Sequence, residues 1–575
     1  MDIYISEATR RNWARLGTNQ NEKLVARANK TKSTKRFIPQ ERCPNKSVEE
    51  WINTLISMSL TQHWEISSVL RSVIEKLFIE NHITTKSSYR KFNEEYRDFS
   101  LIPEILNLNI PQAFDLLGTI YQAYLTEGEK NIRGSYFTPE NIIKDMVGQY
   151  NFSENQRFLD PCCGSGAFLI SINTNNPNSL YGIDKDPIAV MLSKANLIIK
   201  FRDKDFYPNV YLSDFISNDI FNENFLVSLG KFDMVATNPP WGGQISHNEV
   251  QNFCGETASF FFIKSSEFLT DNGTIVFLVP VSLLNVKSHQ KFRQFILRNL
   301  HLKRIQIYKD LFSGVTTKYA SIEADKHGKS NFVNYILNGT EQKVSTETFF
   351  KTNSLTFTPM QDLDSQILKK VRNKGNLSLK ESIWALGIVT GDNKSKLHDV
   401  KGDQEEQIYT GKEIQAFSLL PPRKYILFDR TNLQQVAREE YYRAEEKLVY
   451  KFISKKLTFA YDNSKALFLN SANILIPNIP GMSIKTVLSF LNSSLFQFLY
   501  IRLFDEVKIL KGNLLELPFP VLTAEEDKKF SEYVDKILNG NKQVFNELER
   551  EINNFYGLNE IESQHIQEVI NGRFN

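Results

Sequence analysis

Cysteine is scarce in this chain of 575 residues: there are four, and two of them, Cys162 and Cys163, are adjacent. So few cysteines do not form a disulfide framework, and we expect the reducing setting of the cytoplasm. No apolar run approaches the length of a membrane-spanning helix. Residues 1–17 carry charges and lack an apolar core, so they do not resemble a secretory signal. The net charge is only +3, so any surface that attracts nucleic acid must be local.

The length exceeds what one hydrophobic core supports, so we expect several domains. Apolar residues recur at helical spacing from Val48 to Leu125, which predicts a helical N-terminal region over residues 1–125. Apolar runs alternate with helical patterns over residues 126–330, which predicts an α/β domain with a parallel sheet. Residues 331–575 lose this regularity and predict a mixed α+β region with a helical tail.

The sequence Asn238-Pro239-Pro240-Trp241 follows an apolar run, residues 232–237, that is typical of a buried strand in a parallel sheet. Ligands bind in the loops at the carboxyl ends of such strands. Two prolines fix φ and have no N–H, so their carbonyls are rigid acceptors. An amide, a rigid carbonyl and an aromatic plane in succession suit a flat group with an exocyclic amine. The alternative at this point is an ordinary Asn-Pro turn that ends a strand.

The pattern of residues 157–170 predicts a strand, a glycine turn and a helix. Gly164 and Gly166 let the backbone approach a ligand closely. Leu169 stands where the dinucleotide-binding fingerprint has its third glycine, and the Lys-Ser/Thr pair of a phosphate loop is absent. Asp160, at the end of the strand, would repel a pyrophosphate but attract an ammonium or sulfonium cation. The turn therefore indicates a positively charged cofactor that contains an amino acid.

Acidic residues also end the next two predicted strands. Asp184 follows residues 179–183, about 20 residues after the glycine turn, a position that suits a ribose hydroxyl pair. Asp214 follows residues 209–212, and with the adjacent Phe215 it can accept from an adenine amine and flank the ring. Either acid alone can be a helix cap. Three acids at three consecutive strand ends favour a ligand site.

Thr138 precedes Pro139 at the start of a predicted helix. We expect Thr138 to be its N-cap and Pro139 to take its first position. The uncapped amides of that helix end can hold a ligand carboxylate, although capping alone explains the pair.

Taken in order, the motifs of residues 133–320 resemble the γ-class N6-adenine DNA methyltransferases, which include modification enzymes of restriction systems. The family usually has Tyr or Phe where this sequence has Trp241, a larger side chain that keeps the stacking plane. The resemblance implies a seven-stranded, mostly parallel, Rossmann-like sheet with helices on both faces. It also implies a catalytic motif, Asn238-Pro239-Pro240-Trp241, with Phe312 as a second aromatic residue that stacks on the target base. The residues implied to bind S-adenosylmethionine are Tyr136, Thr138, Asp160, Cys162, Gly164, Gly166, Asp184, Asp214 and Asn238.

The implied reaction transfers a methyl group to the N6 amine of an adenine in double-stranded DNA, without a metal or a covalent intermediate. The amine is a poor nucleophile because its lone pair is delocalised into the ring. Acceptance of its hydrogens by the Asn238 side chain and the Pro239 carbonyl would pull it towards tetrahedral geometry. The base must leave the stack to be reached, and Trp241 would then stack on it. The implied partners are double-stranded DNA and a cognate restriction endonuclease encoded separately, and no membrane is expected.

Two segments of the C-terminal half, residues 387–393 and 409–414, resemble the target-recognition domains of type II adenine methyltransferases. Further on, lysines interleave with aromatic residues, a pattern that suits contact with phosphates and bases. A solvated strand pair is the alternative for this pattern. We expect this half to read the distinctive edge of adenine in the major groove. The lysines predicted to bind DNA are Lys412, Lys447, Lys451, Lys455 and Lys456.

Other functions stay open at this point. A modification subunit would borrow its specificity from a separate partner, which the helical N-terminal region suits and the long C-terminal half opposes. A fusion of methylation with cleavage would need a nuclease motif, and residues 1–125 contain no convincing Pro-Asp…Asp/Glu-x-Lys pattern. A non-catalytic DNA-binding module on the same fold is opposed by the intact Asn238-Pro239-Pro240 motif. RNA and protein are further alternatives, because enzymes that methylate them also use an Asn-Pro-Pro-aromatic motif.

Overall fold

The computed structural model describes residues 4–5, 34, 36–133, 136–217, 220–241, 256–308, 318–328, 330–337, 339–351, 355–358, 362–504, 508–541 and 543–574. The chain divides into two compact units. The first unit comprises Ala26–Leu284 and Ser288–Lys351, and the second comprises Met1–Val25, Asn285–Lys287 and Thr352–Asn575. The predicted domain boundaries at residues 125 and 330 stay predictions.

Helices form the N-terminal part of the first unit, where apolar side chains recur every three to four residues. Their buried side chains, such as Ile52 and Phe78, share a core with Met191 of the helix Pro187–Lys200. The helical part therefore packs against the α/β part of the same unit. We call these elements the N-terminal helices: Lys46–Gln62, Ile66–Glu80, Ser87–Glu95, Pro103–Leu106, Leu116–Tyr124 and Glu127–Arg133.

The strands that the structure describes are numbered here along the chain. They are β1 (Tyr4–Ile5), β2 (Phe158–Asp160), β3 (Leu180–Asp184), β4 (Asn209–Leu212), β5 (Phe232–Thr237), β6 (Leu269–Pro280), β7 (His301–Tyr308), β8 (Tyr319–Asp325), β9 (Phe332–Leu337), β10 (Thr340–Ser345), β11 (Ile383–Leu386), β12 (Glu406–Tyr409), β13 (Lys424–Ile426), β14 (Gln435–Val436), β15 (Lys447–Lys451), β16 (Phe459–Asp462), β17 (Leu467–Phe468) and β18 (Ala472–Ile476).

The first unit contains a nine-stranded sheet in the order β10-β9-β7-β8-β6-β5-β2-β3-β4. From β4 to β6 all neighbours are parallel, and β8 runs antiparallel to both β6 and β7. The predicted seven-stranded, mostly parallel sheet is confirmed, and the hairpin β9–β10 extends it by two strands. The helices of this α/β part are Glu140–Val147, Ala167–Ser171, Pro187–Lys200, Ile220–Ser228, Thr257–Glu267, Ser282–Asn285 and Gln290–Asn299.

The register of the parallel strands brings their carboxyl ends to one edge of the sheet. Asp160 at the end of β2 pairs with Gly182, and Asp184 at the end of β3 pairs with Leu212. β5 lies on the other side of β2 and leads into Asn238. In open α/β sheets this edge is where ligands bind, so the fold collects the sequence motifs at one place.

The second unit combines small sheets with helices. Its sheets have the orders β11-β18-β15-β16, β13-β12-β17 and β1-β14. Among the described helices none alone has the length and apolar character to span a membrane, and the pair Ile484–Asn492 and Ser494–Phe504, bent by 64°, passes that test only when joined. The helices of this unit are Asp362–Asn373, Asn393–Lys396, Glu439–Tyr442, Ile484–Asn492, Ser494–Phe504, Lys511–Leu514, Ala524–Leu538, Val544–Phe555 and Glu560–Phe574.

Candidate active site

Asp160 is the last residue of β2 and is 1% exposed. Its Oδ1 accepts hydrogen bonds from the Thr237 hydroxyl at 2.5 Å and from the backbone N–H of Cys162 at 3.2 Å. Burial, helped by the nearby charge of Asp184, raises the pKa of Asp160 to about 7 against the opposing effect of these two hydrogen bonds. A buried carboxylate with this pKa is stabilised by a cation, so the end of β2 suits a positively charged ligand.

Asp184 ends the neighbouring strand and is partly buried. Its carboxylate accepts from the backbone N–H of Gly164 at 2.8 Å and from that of Asp186 at 2.9 Å. Burial raises the pKa of Asp184 to about 6, although both hydrogen bonds lower it. Asp184 therefore ties the glycine turn to the end of β3, and each of its oxygens has a second lone pair for a ribose hydroxyl.

The turn after β2 depends on two glycines. Gly164 has φ +53° and Gly166 has φ +85°, and residues other than glycine rarely adopt these backbone angles. A Cβ on Gly164 would come within 2.9 Å of the Phe137 ring, and one on Gly166 within 2.6 Å of the Ser193 hydroxyl. The turn is thus packed closely against the segments that contain Phe137 and Ser193. Because the two glycines have no side chains, a ligand at this turn would contact the backbone.

Asn238 directly follows β5. Its Nδ2 donates to the carbonyl oxygen of Tyr136 at 2.8 Å, which fixes the direction of the amide. Its Oδ1 is buried and accepts no hydrogen bond from any residue that the structure describes. A buried acceptor without a donor costs about 1–3 kcal/mol. This oxygen is therefore placed to accept a hydrogen bond from a ligand.

Cys162 brings the glycine turn next to the Asn238 motif. Its Sγ lies 2.9 Å from the Thr237 hydroxyl and 3.8 Å from the carbonyl oxygen of Asn238. Burial raises the pKa of the Cys162 thiol well above its usual value. The thiol therefore stays protonated at neutral pH, which does not suit a nucleophile.

Trp241 stacks on Tyr319, the first residue of β8. The ring centroids are 4.5 Å apart and the planes differ by 21°. Tyr319 is 1% exposed, so the Trp241 ring rests on a buried, rigid neighbour. The plane of Trp241 is thereby set by the sheet.

Three other predicted site residues have different outcomes. Asp214 follows β4, is exposed, and accepts from the backbone N–H of Ile216 at 3.2 Å. The prediction that Thr138 is an N-cap is wrong, because Pro139 has extended backbone angles (φ −63°, ψ 149°) and itself takes the cap position of Glu140–Val147. Phe312 lies outside the residues that the structure describes.

The predicted DNA-binding lysines do not share one environment. Lys447 is fully buried on β15 and pairs with Asp462 at 2.5 Å. Its predicted contact with a DNA phosphate is therefore wrong: the lysine–aromatic alternation comes from a core strand, whose Tyr450 is also buried. Lys412, Lys455 and Lys456 are exposed and Lys451 is partly exposed, and their contact with DNA stays a prediction.

Two residues that help to form this site were not among the sequence predictions. Thr237 bonds Asp160 and contacts Cys162, and its place at the end of a buried strand, next to Asn238, was the signal that could have revealed it. Tyr319 supports Trp241 from a strand further along the chain. No local sequence pattern reports such a long-range contact.

Two family models match the chain. Residues 112–378 match the N-6 DNA Methylase family, and residues 406–519 match the TaqI-like C-terminal specificity domain. The chain therefore contains an N-6 DNA methylase domain and a TaqI-like specificity domain. The motifs of the glycine turn and of Asn238 lie inside the first match, so the resemblance inferred from them is confirmed.

The methylase also has similar relatives. It is 26% identical over 367 residues to the Type II methyltransferase M.VspI of Vibrio sp. (strain 343), with 60% of this chain and 87% of M.VspI covered. It is 22% identical over 520 residues to the Type II restriction enzyme and methyltransferase RM.Eco57I of Escherichia coli, with 66% and 51% covered. The methylase thus spans most of the first relative and about half of the second.

The fold of the methylase is similar to that of the Type IIL restriction-modification enzyme MmeI, solved in complex with DNA. The TM-score is 0.62 at 11% sequence identity, and the alignment covers 92% of this chain and 99% of that chain. At this identity the likeness concerns the fold alone.

Proposed function

We propose that this methylase transfers a methyl group from S-adenosylmethionine to the N6 amine of an adenine flipped out of double-stranded DNA. It acts in a restriction–modification system and selects its target with its own C-terminal domain. The observation that carries the proposal is the buried Oδ1 of Asn238, which has no hydrogen-bond partner among the described residues. An adenine amine supplies the donor that this oxygen lacks.

Asn238 and Pro239 orient the amine. An exocyclic amine carries two hydrogens, so it needs two acceptors on the same side. The first is Oδ1 of Asn238, held in direction by the bond from Nδ2 to Tyr136. The second is the carbonyl of Pro239, which the adjoining Pro240 keeps rigid. With both hydrogens accepted, the nitrogen lone pair is no longer delocalised into the ring and becomes available for attack, and one of the two accepted hydrogens leaves as a proton once the new N–C bond has formed.

The residues at the strand ends fit S-adenosylmethionine. When bound, this cofactor supplies an electrophilic methyl group on a cationic sulfur. The buried carboxylate of Asp160 would balance the positive charge, Asp184 would accept from the ribose hydroxyls, and Asp214 would accept from the adenine amine. Gly164 and Gly166 would let the cofactor lie against bare backbone. The other residues proposed to line this site are Tyr136, Thr138 and Cys162.

No metal is proposed for the transfer. Among the described residues no group of three or more His, Cys, Asp or Glu side chains is arranged to hold a metal ion. Methyl transfer by this route relies on position and hydrogen bonds, and its independence of metal stays a prediction.

Trp241 is proposed to stack on the extruded base, with Tyr319 behind it. The target amine is not accessible in a stacked duplex, so the base must be flipped out. A ring whose plane is fixed by Tyr319 at 4.5 Å receives the base without a further loss of side-chain freedom. Phe312 stays the expected second aromatic surface.

The C-terminal domain is proposed to provide the DNA specificity. The match of residues 406–519 to a TaqI-like specificity domain supports selection within the chain over a separate specificity subunit. Phosphate contacts are proposed for Lys412, Lys451, Lys455 and Lys456. A cognate restriction endonuclease encoded separately is the expected further partner.

The variant Asn238→Ala tests the proposal. It should bind S-adenosylmethionine as the wild type does, because Asp160, Asp184 and the glycine turn are kept, and it should lose most methyl transfer, because the first acceptor of the amine is gone. Binding is measured by calorimetry, and transfer by tritium incorporation into duplex DNA. Asn299→Ala is the control, since that exposed side chain donates a hydrogen bond to the Phe295 carbonyl of its own helix. Near-normal transfer by Asn238→Ala with intact binding would overturn the role given to Asn238.

A further inference from the structure

A buried ion pair lies between the N-terminal helices and the glycine turn. Arg42 ends a short helical turn, Gln40–Arg42, and its Nη2 donates to Oδ2 of Asp115 at 2.5 Å. The two side chains are 3% and 0% exposed. Breaking a buried pair by removing one partner is costly, so the position of these two residues is tightly determined.

The Asp115 carboxylate accepts hydrogen bonds from four residues, of which Arg42 is one. Its Oδ2 also accepts from the Ser165 hydroxyl at 2.5 Å, and its Oδ1 accepts from Nδ2 of Asn196 at 2.7 Å and from the backbone N–H of Gly118 at 3.1 Å. Ser165 stands between the two glycines of the turn and is 1% exposed. The carboxylate of Asp115 therefore holds the middle residue of the turn.

The backbone of Asp115 is itself unusual. Its φ of +43° lies in the left-handed region, which costs energy for a residue other than glycine. It caps the helix Leu116–Tyr124, and a Cβ on Gly118 would collide with the Ser165 side chain. The strained angle and the required glycine together let the start of this helix sit directly against the turn.

Arg42 also holds the segment that orients Asn238. Its Nη1 donates to the carbonyl oxygen of Thr138 at 2.7 Å, and its guanidinium lies 5.6 Å from the centroid of the Phe137 ring. The preceding residue, Tyr136, accepts the hydrogen bond that fixes the Asn238 amide. The Arg42 guanidinium thus contacts both Asp115, which holds the glycine turn, and the segment 136–138, which orients the Asn238 amide.

We propose that Arg42, Asp115 and Ser165 are positioning residues that set the cofactor turn and the Asn238 amide in their working geometry. This gives Arg42 and Asp115, which flank the N-terminal helices, a function in methyl transfer beyond packing. The inference rests on the proposed function, because the turn is assigned there to S-adenosylmethionine. Neither Arg42 nor Asp115 touches the cofactor or the base in this account.

The buried pair Arg71–Glu75 offers a matched control. Nη1 of Arg71 lies 2.9 Å from Glu75, the two side chains are 5% and 8% exposed, and the guanidinium lies 5.6 Å from the Phe92 ring. Its other acceptor, Asn93, also belongs to the N-terminal helices. Arg71→Gln should therefore destabilise the fold to a similar degree as Arg42→Gln without disturbing the glycine turn.

The experiment measures the Kd of S-adenosylmethionine by calorimetry for the full chain and its variants. Arg42→Gln should raise Kd at least tenfold and speed amide hydrogen exchange over residues 163–168, whereas Arg71→Gln should change neither. Arg42→Lys, which keeps the charge but loses the forked contacts, should fall between wild type and Arg42→Gln. Equal Kd values for Arg42→Gln and wild type would overturn the inference.

Ser165→Ala decides the matter if Arg42→Gln does not fold, because it removes a single hydroxyl. A Kd raised at least threefold supports the inference, and an unchanged Kd contradicts it. Failure of the wild type to bind S-adenosylmethionine would instead refute the proposed function. The two failures are therefore distinguishable.

Discussion

Acidification through neutrality is expected to weaken the binding of S-adenosylmethionine. The charged form of Asp160 is the one that attracts a cation, and burial raises the pKa of this group to about 7. The fraction of molecules with ionised Asp160 falls from about three quarters at about pH 7.5 to about one tenth at about pH 6, which lowers the affinity about eightfold. Asp184, with a pKa of about 6, adds a further loss of about twofold. The combined loss of affinity is about fifteenfold, or about 1.6 kcal/mol.

Calorimetry at several pH values measures this loss. Titrations in two buffers with different ionisation enthalpies should also show that binding releases protons near pH 6.5, since the cation favours the charged carboxylates. The isosteric variant Asp160→Asn should bind more weakly at about pH 7.5 and lose most of the pH dependence. An affinity that is level across this range in the wild type, with no proton release, would refute the assignment of Asp160 to the cationic group.

Four further outcomes are expected, and each has its own measurement. Gly164→Ala should abolish cofactor binding measured by calorimetry, because the new Cβ would meet the Phe137 ring at 2.9 Å from a backbone at φ +53°. Trp241→Phe should keep most transfer and Trp241→Ala should lose it, measured as kcat on duplex DNA; equal rates for the two would remove the stacking role. Lys447→Met should lower the free energy of unfolding, measured by denaturant titration, by about 3–5 kcal/mol, since it leaves Asp462 buried and unpaired. The control is Lys424→Met in the exposed pair Lys424–Asp399, which should lose at most about 1 kcal/mol in the same titration. Lys455→Ala should reduce the slope of log Kd for DNA against log salt concentration by about 1, and an unchanged slope would exclude a phosphate contact.

The ligand-free protein is also expected to lose stability as the pH rises. The folded pKa values of Asp160 and Asp184 lie above the ordinary value of 3.8. Between about pH 4 and about pH 7 these two groups therefore bind more protons in the folded state than in the unfolded state, so their contribution to the free energy of unfolding falls with increasing pH. Thermal melts at several pH values measure this trend, and saturating S-adenosylmethionine should offset it. At about pH 8 the variant Asp160→Asn should have a higher melting temperature than the wild type, because it removes the buried charge.

The elements around the site were predictable because their signals are local. The apolar run before Asn238, the glycines at 164 and 166, and the acids that end three strands each follow from a short stretch of sequence. The parallel sheet then brings them to one edge without further information. Positions of this kind depend on strand order, and strand order follows from the alternation of strands and helices.

Other features depend on contacts that no local pattern reports. Tyr319 supports Trp241 from a distant strand, and Arg42 reaches Asp115 across many residues. Lys447 shows the opposite failure: a lysine in a strand was predicted to be solvent-exposed, yet its charge is neutralised by Asp462 in the core. Buried charges of this kind are recognised only when both partners are seen together.

The central claim is that this methylase modifies the N6 amine of adenine. The most direct measurement incubates the pure protein with S-adenosylmethionine and a pool of random duplex DNA, digests the product to nucleosides and identifies the methylated base by mass spectrometry. We expect N6-methyladenine with the wild type and almost none with Asn238→Ala. A methyl group on cytosine, or an undiminished yield of N6-methyladenine from Asn238→Ala, would contradict the account.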